Sequence, residues 1–201
     1  MNPTDACFAL GSVPKDGGTF TFYRNLRPAL AHHGVDVRCV AVGWREAALW
    51  DDAFADDGCV LLAPRSRELK NQAMAFGAWC ESTDVDVVAG INSIAILSSL
   101  PHLPERIRAI ARCANSFDEG YRMTVMGRDR LSALVALTPR QVSDLSRRYD
   151  VPKSLMRLIP NGTESGRFPA HTPMRDNTPL RVGFLGRLEH KQKGVLFLPS
   201  I

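Results

Sequence analysis

Apolar residues fall in short runs along this chain, separated by stretches with helical spacing. Residues 6–10 form the first run and stop at Gly11, so they predict a strand. A loop rich in Gly and Pro comes next. From 18 to 33 the pattern F-x-F-x-x-x-L-x-x-x-L predicts a helix that Gly34 stops. Residues 35–42 alternate and then run apolar, a second strand. A short helix is expected over 44–50. Further strands are predicted at 59–63, 85–89, 107–112, 134–137 and 155–159. Helices are predicted at 68–80, at 94–100 before Pro101, and from Pro139 to Tyr149, where the proline suits a first helical turn.

Strands and helices therefore alternate, and the strand cores are apolar. That pattern predicts an α/β fold with a Rossmann-like, doubly wound parallel sheet. Residues 169–179, P-A-H-T-P-M-R-D-N-T-P, are polar and proline-rich and read as a linker. A new apolar run, 180–185, starts after it. The expected organisation is one domain over 1–175 and the start of a second, truncated one over 176–201.

Composition narrows the class. With 201 residues, 45% of them hydrophobic and 23% charged, the chain has ordinary globular composition. The net charge of +4 comes without a basic run, so a nucleic-acid partner is not expected. No segment approaches the roughly 18 apolar residues that span a bilayer. The polar start M-N-P-T-D is unlike a signal peptide. The five scattered cysteines include no C-x-x-C pair and read as small buried hydrophobes of a reducing compartment. A cytoplasmic location is the expectation.

Candidate chemistry gathers at strand ends. In 180–194, L-R-V-G-F-L-G-R-L-E-H-K-Q-K-G, a predicted buried strand stops at Gly186 and a helix is expected to open near Lys193. Helix starts favour anions, and Arg187, Lys193 and Gly194 surround this one. Two solvated cations beside a strand end would read the same way. Gly17 and Gly18 lie between the first strand and first helix, where backbone can approach a phosphate closely. A plain strand–helix turn is the other reading. Neither a P-loop nor a dinucleotide fingerprint is present. Asn92 and Ser93 follow the predicted fourth strand as sugar-binding amide and hydroxyl or, better, as a helix N-cap. Past the predicted fifth strand come Asn115 and Tyr121. Asn115 can donate and accept hydrogen bonds but cannot act as a general base. Tyr121 sits at a rim or packs inside. The stretch I-P-N-G, 159–162, reads as an extended X-Pro step followed by a tight Asn-Gly turn.

Segment 180–194 resembles the phosphate-binding motif of the retaining glycosyltransferases of family four, the large family that includes sucrose and glycogen synthases. Segments 16–37 (D-G-G-T-F-T-F-Y-R-N-L-R-P-A-L-A-H-H-G-V-D-V) and 158–168 (L-I-P-N-G-T-E-S-G-R-F) resemble the same family, in the same order. The resemblance implies the N-terminal, acceptor-side domain of a GT-B enzyme with the opening of its donor domain. Implied too is transfer of a sugar, of hexosyltransferase type, from a nucleoside-diphosphate sugar to an acceptor hydroxyl with retention. Gly18, Arg187 and Lys193 would bind the donor diphosphate, with Gly17 and Gly194 in the donor loop. Asn92, Asn115 and Tyr121 would face a carbohydrate, lipid-linked or small-molecule acceptor. No metal or other cofactor is implied, and peripheral association with the inner membrane face is compatible. The catalytic residues would lie in the longer chain, so the 201-residue piece itself is expected to be inactive. One departure stands out: many members carry a histidine soon after the fifth strand, where this chain has Cys113, Ala114 and Asn115. A non-catalytic binding domain on the same scaffold, or another Rossmann-type nucleotide-binding module, are the alternatives.

Overall fold

A computed structural model of the chain describes residues 4–10, 17–83, 85–162, 183–186, 188 and 193–200. The chain divides into two compact units, Met1–Gly162 and Thr163–Ile201. The linker and the boundary expected near residue 175 lie outside the described residues.

In the first unit seven strands build one parallel sheet in the order β3-β2-β1-β4-β5-β6-β7. They are β1 (Thr4–Leu10), β2 (Val35–Val42), β3 (Cys59–Leu62), β4 (Val87–Ile91), β5 (Arg108–Arg112), β6 (Leu131–Ala136) and β7 (Met156–Leu158). The connections carry α1 (Gly18–Ala31), α2 (Trp44–Ala47), α3 (Ala53–Asp56), α4 (Leu69–Ser82), α5 (Ile94–Ser99), α6 (Asp118–Thr124) and α7 (Pro139–Tyr149).

Both faces of the sheet are covered, which is why its strands read as apolar runs rather than simple alternation. Within β2, Val37 and Cys39 join Phe20, Tyr23 and Ile91 in one buried cluster. Val40 and Val42, of opposite parity, join Phe76, Val88, Leu97 and Leu134 in the other. Neighbouring side chains on a strand point to opposite faces, so two cores sandwich the sheet. All five cysteines are buried and stand outside any disulfide. Burial pushes the thiols of Cys7 and Cys113 up, and that of Cys80 up to about 12.

Local signals place several ends. Thr138 Oγ1 accepts from the Gln141 amide at 3.2 Å and starts α7 beside Pro139. Gly34, at φ +72°, ends the turn after α1. Three departures from the sequence reading stand out, two of them with a visible physical cause. β4 begins at Val87 rather than 85, because the Val85 carbonyl is taken by Arg106 Nη1 at 2.9 Å. β6 begins at Leu131 rather than 134. Helix α6 is absent from the hydrophobic pattern, since Gly120 and a charged first turn disguise it; Asp118 and Glu119 nevertheless suit a helix start.

α6 is tied to α7 by charge. Asp118 accepts from Arg122 at 2.7 Å, from Arg148 at 2.8 Å and from the Tyr149 hydroxyl at 2.5 Å. The Tyr149 hydroxyl, and then the two guanidinium groups, hold the Asp118 carboxyl below its ordinary value. A lowered folded-state value means that the stabilisation is present above the unfolded value, about pH 4, and fades as pH falls through the folded one. In Tyr149→Phe the Asp118 midpoint is expected to rise toward the ordinary carboxylate value in a carboxyl-carbon NMR titration. An unmoved midpoint would remove the hydroxyl as the main cause.

The second unit departs from expectation. A buried strand is predicted over 180–185, but Gly183, Phe184 and Leu185 have no strand pairing among the described residues. Phe184 is 41% exposed and Leu185 fully exposed. A strand forms only where a neighbour takes its backbone groups, and no described residue of this unit does so. Lys193 is helical, Gly194 turns at φ +64°, and Val195–Ser200 form a 3₁₀ helix.

Candidate functional site

The strand order reverses between β1 and β4: β2 and β3 lie to one side, β5 to β7 to the other. In open parallel sheets the crevice for ligands opens at such a point, outside the carboxyl ends of the strands. Leu10 and Ile91, the last residues of β1 and β4, are paired in register. The start of α1, which follows β1 in the chain, and the residues after β4 therefore lie at the same carboxyl edge.

On the β1 side α1 begins at Gly18. Gly17 precedes it in extended backbone, and no side chain caps the helix. A Cβ on Gly18 would meet nothing within 4 Å, so the approach to this helix start is open. A 14-residue helix presents its positive end and first N–H groups here.

On the β4 side stands Asn92, left-handed at φ +54°. Ser93 caps α5, its Oγ accepting from the Ile96 amide at 3.4 Å. Asn92 Oδ1 accepts from Asn115 Nδ2 at 3.0 Å, which joins the loops after β4 and β5. Gly120 allows that arrangement, since a Cβ there would come within 2.7 Å of the Asn115 Cβ. Behind them Ser116 Oγ accepts from Gln141 Nε2 at 3.1 Å.

Arg112 ends β5 in the same crevice and is only 8% exposed. Its Nη2 donates to Asn161 Oδ1 at 2.5 Å, and its guanidinium lies 4.1 Å from the centre of the Phe22 ring. Phe22 is one turn along α1 from Gly18, on the same face. Among the described residues no carboxylate lies within 4 Å of this cation. Burial lowers its pKa. A sheltered cation with no carboxylate beside it among the described residues, next to an exposed helix start, makes a positive field at the crevice. The arrangement can attract an anion and offer amides to hydroxyl groups.

The expected site residues are thus partly gathered. Gly17, Gly18, Asn92 and Asn115 share the carboxyl edge of one sheet. Tyr121 does not serve there as a rim group: its ring is fully buried and its hydroxyl donates to Asp144 Oδ2 at 2.8 Å. Helix α6 turns it inward, a helix the hydrophobic pattern does not reveal. Lys193, exposed, and Gly194 belong to the second unit, and Arg187 lies outside the described residues. The run I-R-A-I-A-R places Arg112 at a strand end but gives no sign of its burial or of its partners Phe22 and Asn161. The signal available was a cation closing an apolar run.

Besides a hollow of about 380 Å³ beside α1, at Tyr23 and Arg27, two others are present among the described residues. One of about 590 Å³ lies between α4 and α5, off the carboxyl edge, with a mostly apolar wall that includes Met74 and Leu103. The other, about 390 Å³, lies on the carboxyl edge beyond β2 and runs from Trp44 to Asn92.

No protein-family model matches this chain, and no curated protein matches it in sequence. Solved structures do match. A glycosyltransferase from Rickettsia africae superposes over 81% of this chain and 44% of its own, with TM-score 0.57 and 12% identity. The first unit has the Rossmann-like fold of a GT-B half. Sucrose-phosphate synthase from Thermosynechococcus elongatus matches 80% of the chain and 90% of its own (TM-score 0.53, 14% identity). MurG from Acinetobacter baumannii matches 83% and 48% (TM-score 0.51, 14% identity). The chain thus spans under half of the Rickettsia and Acinetobacter proteins. At such identities the likeness bears on the fold.

Proposed function

We propose that this chain is the acceptor-side half of a retaining glycosyltransferase of family four, one that uses a nucleoside-diphosphate sugar. The observation that carries the reading is the crevice between β1 and β4, with the open start of α1 on one wall and the Asn92–Asn115 pair on the other. In this reading the α1 start, through the Gly18 backbone, meets the donor diphosphate. Arg187, Lys193 and Gly194 meet it from the second domain. Transfer breaks the bond between the sugar and the diphosphate, and negative charge grows on the leaving group. Fixed dipoles and cations in a water-poor cleft stabilise that charge as it develops. Asn92 and Asn115 orient the acceptor hydroxyl; neither takes its proton. The motifs of segments 16–37 and 180–194 supply the retaining, family-four part of the reading.

The test uses the protein expressed from its complete reading frame. Acceptor-dependent release of nucleoside diphosphate from a panel of sugar nucleotides is expected, with a product of the donor's anomeric configuration by proton NMR. An inverted product would remove the retaining assignment, and no release with any donor would remove the transferase.

A second reading has one observation behind it. A UDP-N-acetylglucosamine 2-epimerase from Rickettsia bellii also superposes on this chain (TM-score 0.52, 13% identity, 76% of this chain and 43% of that one). An epimerase would change the sugar nucleotide with no acceptor present, which the same assay detects.

A further inference from the structure

The 390 Å³ hollow beyond β2 carries chemistry that the crevice does not use. Gly43 makes the turn into it at φ +106°, and a Cβ there would come within 2.6 Å of Gln72 Nε2. Gln72 is held in turn, its Nε2 donating to the Ser66 carbonyl at 3.0 Å. This close packing sets Trp44 at the mouth, 37% exposed. Two guanidinium groups lie against its ring, Arg67 at 4.9 Å and Arg45 at 5.7 Å from the centre. An indole face holds such groups by attraction to its negative quadrupole and leaves their N–H donors unspent.

Among the described residues neither Arg45 nor Arg67 has a carboxylate within 4 Å. One carboxylate, Glu46, lines the hollow. Burial raises its pKa, which disfavours its charge. Two permanent cations therefore face one weakened anion. Asn92 stands at the inner end, where the hollow meets the crevice.

We propose that this hollow holds the phosphate group of a phosphate-bearing acceptor, with Arg45 and Arg67 gripping it against Trp44 and the acceptor's hydroxyls extending toward Asn92. A phosphate monoester carries nearly two charges and three acceptor oxygens, which suits two guanidinium forks better than a single carboxylate does. That the ligand is an acceptor rests on the transferase reading; that the hollow binds a phosphate does not.

The test titrates the ¹⁵N-labelled 201-residue chain with glucose 6-phosphate, glucuronate and glucose. The readout is the Trp44 indole N–H signal, assigned by its loss in Trp44→Phe. Glucose 6-phosphate is expected to move that signal saturably, glucuronate to bind more weakly, and glucose to leave it unmoved. Arg45→Gln and Arg67→Gln should each weaken sugar-phosphate binding about tenfold or more with circular dichroism unchanged. Phosphatidylcholine vesicles carrying phosphatidylinositol form a second arm. Co-sedimentation lost in Arg67→Gln identifies a lipid headgroup as the phosphate source, and binding of the soluble sugar phosphate alone identifies a free one. Equal shifts with glucose, equal affinity for glucuronate, or unchanged affinity in both arginine variants overturns the proposal. So does the absence of any response to every phosphate probe. Sugar-phosphate binding in a protein that transfers nothing would sink the transferase reading and leave the hollow's role standing.

Discussion

On the transferase reading, replacing Arg187 or Lys193 by alanine is expected to lower glycosyl transfer about 10²-fold or more. The cause is charge. Cleavage leaves negative charge on a diphosphate, and a fixed cation at that place is worth most as the charge develops. In that reading Arg187 would grip phosphate oxygens bidentately with its planar fork, whereas Lys193 would supply a mobile point charge. The loss should therefore fall mainly on kcat, because the clamp acts more strongly on the leaving group than on the bound donor. Arg187→Lys should recover only part of the rate, since an ammonium cannot reproduce the fork. Steady-state kinetics with a saturating acceptor would measure this. Near-normal turnover in both alanine variants would remove the phosphate clamp and, with it, the main chemical support for the transferase reading.

The second large effect concerns stability. Phe76→Ala should destabilise the first unit by about 3–5 kcal/mol, because it removes a buried ring and leaves a cavity in a close-packed core. Phe76 is fully buried on the sheet-facing side of α4, with its ring stacked on Trp79 at 6.1 Å between centroids. Its neighbours in the cluster, among them Cys80, Val88 and Leu97, are buried too and can collapse only partly into the space. Urea unfolding should show a lower midpoint with an unchanged slope. Met74 lies two residues earlier on the same helix and is 62% exposed. Met74→Ala should change stability by no more than about 0.5 kcal/mol. Similar losses in the two variants would mean that α4 does not bury the face described.

Some of this architecture was legible beforehand because its causes are local. Pro139, with Thr138 before it, fixes the start of α7, and the structure has that helix where the pattern puts it. Apolar runs between helical stretches require a parallel sheet with both faces covered, and β2 spans the expected residues. Two four-residue runs of similar character would look the same at an edge or in the middle, so strand order was out of reach. Helix α6 was missed because Gly120 lowers helix propensity; its role appears only when Asn115 is seen packed against the missing Cβ. Conversely, the expected strand at 180–185 did not appear at Gly183–Leu185, since an apolar run becomes a strand only with a partner to pair with.

The candidate site divides in the same way. Gly17, Gly18, Asn92 and Asn115 could be placed at strand ends from spacing alone. The hydrogen bond between Asn92 and Asn115, and the burial of Arg112 between Phe22 and Asn161, depend on which strand lies beside which. The sequence by itself determined the class of fold, the caps and turns, and the residue types available at each strand's carboxyl end. Only the tertiary structure decided that β1 and β4 are neighbours, that the crevice opens between them, and that Tyr121 is buried while Trp44 gathers two cations. The physical reason is range: periodicity and capping act within a few turns of chain, whereas a site is assembled by crossovers that join residues far apart along it.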